Sequence, residues 1–287
     1  MTCFSAGNTG QQYCTPESIL GDPIGMILAL DGAANEFSAA DFLLEATYKT
    51  GINARRLFPI MFLKDFVDNS EEAVYFDYPN GDRKLVRKGK YRFQMSYNVN
   101  ECVKKELFDF QGYSQKVFLL YADNIVRGRT TNSGVTIKGI RVKQINVLKE
   151  KQGNFGEPAM MMLEVDLTDY KDLNQYDHAM AMDWEVSELD GLTEVDIAAN
   201  GAASATAIPF TVYATCNGET KPITGITYAM LDTYAGGSSL TDNGDGSYIL
   251  VGTGMATGSL NLLTPAAIGA IDADLLIISA GALAVTI

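Results

Sequence analysis

Charged residues divide this 287-residue chain into two parts of different composition. The last hundred residues contain ten acidic side chains and one basic side chain, Lys221, and they are rich in Ala, Gly and Thr. The preceding 187 residues contain the other 21 basic side chains against 25 acidic ones. Because a chain of this length is expected to form about two domains, the change in composition predicts a mixed-charge front part and an acidic C-terminal domain.

The front part contains alternating patterns that are typical of β-strands. Lys90–Val99 places large apolar side chains at every second position, so one face of a strand is expected to be buried. Ala73–Tyr78 and Arg83–Arg87 lie on either side of a turn sequence at Pro79–Asp82, and this arrangement predicts a β-hairpin. The sequence therefore predicts a β-sandwich or barrel-like body.

One or two short helices are expected to flank this body. Ser38 is a good N-cap for a helix over Ser38–Lys49, and Gly51 is placed to end that helix in the left-handed conformation. Asn100 is placed to cap a second helix, Glu101–Phe110.

A hairpin motif lies inside the acidic part, and its turn admits two interpretations. A calcium loop needs Glu at its twelfth position, which is Thr253 here. A tight turn needs residues that adopt positive φ, which glycine does readily after Asn or Asp. We therefore expect a turn and no metal site. The residues of this turn are Asp242, Asn243, Gly244, Asp245 and Gly246.

The surrounding segment, Leu240-Thr-Asp-Asn-Gly-Asp-Gly-Ser-Tyr-Ile-Leu250, resembles the hairpin of filamin-type and bacterial immunoglobulin-like repeats. The resemblance implies that the acidic part is an immunoglobulin-like β-sandwich. Short β-like runs at the spacing of a small sandwich fit this reading. The expectation is a mainly β chain with a polar N-terminal arm that orders only against a partner (1–22), a β-rich assembly body (23–190) and an acidic immunoglobulin-like β-sandwich (191–287).

The net charge of −13 argues against two classes of partner. Nucleic acid binding needs a cationic face that displaces counterions, and anionic lipid likewise attracts basic segments. We therefore expect neither sequence-specific nucleic acid nor a membrane as partner. The first residues show no basic start and no apolar core of a secretion signal, which favours a reducing compartment. On that basis we expect four free thiols, at Cys3, Cys14, Cys102 and Cys216.

Basic residues cluster in and after the predicted hairpin, and three interpretations are open. The cluster could be a solvated strand face, a contact with the acidic surface of a neighbouring copy, or a nucleic-acid contact. No Gly-rich phosphate loop accompanies it. The candidate subunit contacts in this cluster are Arg83, Lys84, Arg87 and Lys88, and Lys90 and Arg92 follow them.

Three consecutive methionines lie in a predicted strand, Ala159–Leu167. Their side chains point to both faces of the strand. Either the strand is buried on both sides, or Met160 and Met162 form an adaptable contact with another subunit.

His178 lies beside Asp177, and such a pair can be half of a catalytic site. No nucleophile motif accompanies the pair, and the acidic residues are scattered. We therefore expect His178 to be a linker residue, and the chain to have no catalytic or cofactor-binding residues, no cofactor and no enzymatic activity.

The body resembles the structural proteins of tailed bacteriophages. In tail-tube proteins a β-sandwich with a flanking helix is built into stacked rings through an N-terminal arm and a long loop, and an outward C-terminal immunoglobulin-like domain is sometimes present. The resemblance is carried by the arm before Pro23, the capped helix Ser38–Lys49, the segment Lys90-Tyr-Arg-Phe-Gln-Met-Ser-Tyr97, the helix Glu101–Phe110 and the hairpin through Val135–Leu148.

The resemblance implies a non-enzymatic virion structural protein, the major tail-tube subunit. It would associate with itself in hexameric rings and with other virion proteins, and it would be made and assembled in the cytoplasm of the host bacterium. A capsid decoration protein or head fibre is the alternative. A carbohydrate-binding surface adhesin is a third class, which should have a secretion signal and clustered exposed aromatic residues.

Overall fold

The structure of the chain is a computed structural model. It describes residues 4–5, 12–13, 21–79, 81–98, 104–105, 107–108, 110–111, 115–131, 136–148, 150–156, 158–169, 171–174, 176–216 and 219–287. Strands make up most of the regular structure, so the predicted mainly β fold is confirmed. Most of the predicted N-terminal arm lies outside the described residues, as do Cys3, Cys14 and Cys102.

Contacts divide the chain into two compact units. The first comprises Met1–Glu45 and Leu57–Leu189, and the second comprises Ala46–Arg56 and Asp190–Ile287. The sequence pattern placed residues 46–56 in the body, whereas their contacts place them in the C-terminal unit.

Strands of the first unit follow the chain in short, mostly antiparallel segments. They are β1 (Phe4–Ser5), β2 (Gln12–Tyr13), β3 (Pro23–Leu30), β4 (Leu57–Ile60), β5 (Leu63–Asp68), β6 (Val74–Asp77), β7 (Arg83–Arg87), β8 (Arg92–Asn98), β9 (Gln115–Tyr121), β10 (Ile125–Thr130), β11 (Ile137–Lys138), β12 (Ile140–Val147), β13 (Met160–Leu167) and β14 (Asp177–Ala181). Helices whose bounds the structure describes up to this point are α1 (Ala39–Leu43), α2 (Glu45–Asn53) and α3 (Lys171–Asn174).

One ten-stranded sheet forms the framework of the first unit. Its path runs β11-β10-β9-β12-β13-β8-β5, with β3 on β9, β4 on β3 and β14 on β10. The sheet curls into a half-barrel and encloses the core. Alternation positions this core, because the inward residues of β8 are apolar and every second residue of β13 is buried. The largest fully buried side chains here include Phe42, Phe118, Met26, Ile27, Leu28 and Met95.

The second unit has a smaller sheet in the order β18-β19-β16-β15-β21, with β17 beside β16. β15 and β21 are parallel, and the other neighbours in this sheet are antiparallel. β20 and β22 form a separate antiparallel pair, and an isolated bridge joins Leu231 to Leu262. The elements are β15 (Thr193–Ala199), β16 (Ala207–Cys216), β17 (Glu219–Pro222), β18 (Gly237–Asp242), β19 (Ser247–Gly252), β20 (Gly258–Leu260), α4 (Pro265–Ile271), β21 (Ile277–Ser279) and β22 (Leu283–Val285).

The helix predicted over Ser38–Lys49 is two helices. Ser38 caps α1 as expected, since its Oγ accepts a hydrogen bond from the Asp41 N–H at 3.1 Å. Leu44 then leaves the helical conformation, and α2 begins at the next residue. The expected end at Gly51 is wrong because Gly51 lies within α2.

The left-handed residue that ends α2 is Arg55, with φ of 55°. Its N–H donates to the Ile52 carbonyl at 2.8 Å, and the Arg56 N–H donates to the Gly51 carbonyl at 2.9 Å. These two bonds form a Schellman motif with Arg in place of the usual glycine.

Three segments show structure that alternation in the sequence does not reveal. β4 and β5 are separated at Phe62, whose φ is 63°. The segment before the C-terminal unit contains α3, β14 and a 3₁₀ turn at Val186–Glu188. Residues 224–231 contain a 3₁₀ turn at Tyr228–Met230 and the bridge residue Leu231.

Candidate interaction surfaces

The hairpin β6–β7 is a two-stranded sheet of its own, and all nine of its strand residues are exposed. It extends from the β5–β8 pair, where the Asn69 N–H donates to the Arg92 carbonyl at 2.9 Å and the Glu71 N–H to the Lys90 carbonyl at 2.8 Å. An isolated two-stranded hairpin is only marginally stable in water. The exposed apolar residues of this hairpin therefore mark a candidate interaction surface.

The two faces of the hairpin differ in chemistry. Tyr75 and Asp77 share one face with Arg83, whose guanidinium lies 4.7 Å from the Tyr75 ring centre and 2.8 Å from Asp77 Oδ1. The other face, which we call the apolar hairpin face, has no such cover among the described residues. By strand alternation it presents Val74, Phe76, Tyr78, Lys84 and Val86, and the Phe76 and Tyr78 rings contact each other edge to face.

The four basic residues predicted as subunit contacts all lie in the hairpin region, and two of them form ion pairs there. Arg83 and Arg87 form ion pairs within the unit, Arg87 with Glu71 at 2.9 Å. Both side chains are more than half exposed, and exposed pairs of this kind contribute little stability. Lys84 and Lys88 are exposed residues of the same hairpin region. The structure thus brings the four basic residues together on one projecting element.

Three exposed phenylalanines lie in segments at the opposite end of β8, and sequence reasoning missed them. Phe62 is 71% exposed, Phe108 is 47% exposed and Phe155 is fully exposed. Phe62 precedes β5, and Leu63 pairs with Tyr97 near the end of β8. We call these three phenylalanines the aromatic end.

Contacts within the unit place the chain segments that carry Phe108 and Phe155 at this end of β8. Asn98, the last residue of β8, pairs with Met160, and Met160 forms a bridge to Lys151 in the connection that carries Phe155. The helical residues 107–108 follow Lys104, whose Nζ lies 2.6 Å from Glu150 Oε2. The ion pair ties the segment bearing Phe108 to the connection bearing Phe155.

The predicted methionine contacts lie on the outer face of the half-barrel. Met161 is buried, whereas Met160 and Met162 are half-buried, so the strand is not buried on both sides. Gln94 Nε2 lies 3.6 Å from Met162 Sδ and covers it in part.

The turn at residues 242–246 closes the antiparallel hairpin of β18 and β19. Gly244 and Gly246 adopt positive φ of 82° and 84°, whereas Asn243 and Asp245 do not. Asp245 Oδ1 accepts hydrogen bonds from the N–H and Oγ of Ser247, and these bonds lower the pKa of Asp245. Asp242 accepts hydrogen bonds from the N–H of Gly244 in the turn and from the N–H of Gly225, which lies before the hairpin. Both carboxylates of the turn are therefore engaged within the C-terminal unit.

His178 is a strand residue, not a linker residue, and it forms no dyad with Asp177. It lies in β14 opposite Gly128, with its ring 6.1 Å from the Phe42 ring centre, and burial lowers its pKa. Asp177 instead accepts two hydrogen bonds from Arg127, at 2.7 and 3.0 Å. Neighbouring residues of a strand point to opposite faces, which accounts for the separation.

An ion-pair network around a buried carboxylate was also missed by sequence reasoning. Asp172 is fully buried and accepts two hydrogen bonds from the Arg141 guanidinium, at 2.9 and 2.7 Å, and one from the Arg141 N–H at 3.0 Å. Arg129 Nε lies 3.4 Å from the same carboxylate. The network fastens α3 to β12 and β10, and the interaction with Asp172 raises the pKa of Arg141. Its residues are engaged with one another, which indicates a structural role.

The described residues offer neither a metal site nor a membrane-spanning helix. They contain no group of three or more His, Cys, Asp or Glu side chains able to hold a metal ion. Within the same residues, no helix is both long and apolar enough to cross a membrane. Cys216 is disulfide-bonded, so the expectation of a free thiol is wrong at this position.

Neither a protein-family model nor a curated protein sequence matches the chain.

Proposed function

We propose that this chain is a non-enzymatic structural protein of a bacteriophage virion, the major tail-tube subunit that polymerises into stacked hexameric rings. The observation that carries the proposal is the projecting hairpin β6–β7, whose strand residues are all exposed and include large apolar side chains. Monomeric proteins rarely leave such a surface uncovered, and a long projecting hairpin fits an element that is completed by a neighbouring subunit.

The topology of the C-terminal unit supports an immunoglobulin-like outer domain. The order β18-β19-β16-β15 follows the D-E-B-A order of an immunoglobulin sheet. The bridge from Leu231 to Leu262 and the β20–β22 pair supply neighbours in the order C-F-G of the second sheet. An acidic domain of this kind favours an outward, solvated position because like charges repel.

The partners of the chain would be further copies of itself and other virion proteins. Arg83, Lys84, Arg87 and Lys88 would contribute cationic contacts to the acidic chain of a neighbour, and Met160 and Met162 an adaptable contact. The chain would be made and assembled in the cytoplasm of the host bacterium. Cytosolic thiols are mostly kept reduced, so the disulfide of Cys216 is unusual for a chain made in this location.

The test is negative-stain electron microscopy of the purified full-length protein, with sedimentation velocity at rising concentration. Six-fold rings or tubes are the expected result. Trimers would instead favour a capsid decoration protein or head fibre, which uses the same displayed sandwich. A protein that stayed monomeric at every concentration would overturn both assembly functions.

A further inference from the structure

We propose that the apolar hairpin face of one copy docks on the aromatic end of a second copy, so that association is head to tail. This inference rests on the proposed function, because it names the partner surface for the hairpin. Each copy carries one of each surface, at the two ends of β8. Such heterologous contacts generate closed rings or open filaments rather than isolated dimers.

The two surfaces cannot satisfy each other within one copy. β8 has seven residues, and at about 3.3 Å per residue it separates its ends by roughly 20 Å. The hairpin extends beyond one end, since Asn69 and Glu71 still pair with Arg92 and Lys90, which increases the separation. A second copy of the chain carries its own aromatic end, so it can cover the apolar hairpin face without a different protein.

Charge favours this pairing over a hairpin-to-hairpin contact. Lys84 shares the apolar hairpin face with Phe76, so two such faces would bring like charges together. On the aromatic end the same ammonium would meet phenylalanine rings, which attract cations. Residues 71–90 contain five basic and four acidic side chains in a chain of net charge −13, so this segment is repelled less by another copy than the rest of the surface.

The backbone at Phe62 supports a role for its ring. Phe62 has a φ of 63°, which is costly for a residue with a Cβ. Strain of this kind at an exposed aromatic residue is a pointer to function rather than to packing. The conformation sets the ring outward at the aromatic end, where 71% of the residue is exposed.

The test compares full-length variants by sedimentation velocity. Phe76→Ser removes the central ring of the apolar hairpin face, and Phe62→Ser with Phe155→Ser removes two rings of the aromatic end. Each is expected to raise the protein concentration needed for assembly by about tenfold or more, the effect of losing an aromatic hot spot. Tyr75→Ser, on the Arg83-covered face of the same hairpin, is the matched control and should assemble as the wild type does.

Mixing identifies the geometry of the contact. The Phe76→Ser protein retains an intact aromatic end, and the doubly substituted protein retains an intact hairpin, so an equimolar mixture should form a one-to-one complex that neither forms alone. Assembly of all variants at the wild-type concentration would overturn the head-to-tail contact while leaving the proposed function intact. A wild-type protein that never assembled would instead overturn the proposed function. Circular dichroism melting confirms that each variant is folded.

Discussion

Two glycines of one turn allow a matched test of the C-terminal hairpin. Gly244 and Gly246 adopt nearly the same positive φ, 82° and 84°, but their surroundings differ. A Cβ at Gly244 would meet nothing within 4 Å, whereas a Cβ at Gly246 would lie 2.6 Å from the Pro222 Cβ and 3.2 Å from the Val212 carbonyl oxygen. The pair therefore separates the cost of backbone conformation from the cost of a steric clash.

The magnitudes follow from these two contributions. Gly244→Ala introduces only the left-handed conformation, which costs roughly 1–2 kcal/mol for a residue with a Cβ. Gly246→Ala adds overpacking against β17, which typically costs about 1–3 kcal/mol more. The clash cannot be relieved by a flexible side chain, because Pro222 is a ring and the Val212 carbonyl belongs to the backbone of β16. Gly246→Ala should also weaken the bond from the Val212 N–H to the Gly246 carbonyl, now 2.9 Å long.

Hydrogen exchange in increasing urea measures both effects in the full-length protein, because peptides from residues 207–216 and 247–252 report on the C-terminal unit alone. Exchange of these peptides should accelerate moderately in Gly244→Ala and by a further factor of about 5 to 150 in Gly246→Ala, the equivalent of the extra 1–3 kcal/mol at 1.4 kcal/mol per tenfold change. Equal destabilisation by the two substitutions would refute the contact between the turn and β17.

Three further predictions concern single residues. Arg55→Gly should stabilise α2 by about 0.5–1 kcal/mol, seen as slower hydrogen exchange there, because glycine adopts the φ of 55° without a Cβ penalty. Asp172→Asn should destabilise the first unit by about 1–3 kcal/mol, because it removes the buried carboxylate that pairs with the largely buried Arg129 and the partly exposed Arg141. Urea unfolding followed by fluorescence of the single tryptophan, Trp184, should show the loss. Burial raises the pKa of Tyr248 from 10.0 to about 12, so the folded state holds its proton longer and stability should fall as pH rises from 10 to 12. Tyr248→Phe should flatten that fall in pH-dependent melting, although it should lower stability at neutral pH by about 1–2 kcal/mol through loss of the bond to the Ile223 carbonyl.

Local signals in the sequence account for the parts of the fold that could be predicted. Strand β8 and the β6–β7 hairpin follow from alternation and turn residues, which act over a few positions. The start of α4 also had a local signal, Thr264 before Pro265, that sequence reasoning did not use. The break at Leu44 had none, because leucine is a good helix former. A contact distant in sequence lies at this break, where Trp184 Nε1 donates a hydrogen bond to the Leu43 carbonyl at 2.9 Å.

The candidate surfaces divide in the same way. A charge cluster is visible in sequence, so Arg83, Lys84 and Arg87 could be named before the fold was known. The sequence does not distinguish an exposed phenylalanine from a buried one. The aromatic end could not be predicted because its members come together only through the pairing of the strands that precede or follow them. Phe155, flanked by Asn154 and Gly156 in a polar loop, is the one member of the aromatic end that the sequence could have indicated.

Residues 46–56 belong to the C-terminal unit but precede the rest of it in the sequence by more than 130 residues, and this order has a consequence for biosynthesis. Lys49 forms an ion pair with Asp274, and Asn53 packs closely against Gly269 in α4. Ribosomes add roughly 5–20 residues per second, so this short helical segment leaves the tunnel on the order of ten seconds before its partners exist. During that interval the segment lacks the rest of the unit in which its side chains Tyr48 and Ile52 are buried, and a fragment that begins at residue 190 lacks the segment permanently. The C-terminal unit is therefore a domain whose folding must wait for the end of translation, and an excised copy of it should be less stable than the same unit in the intact chain.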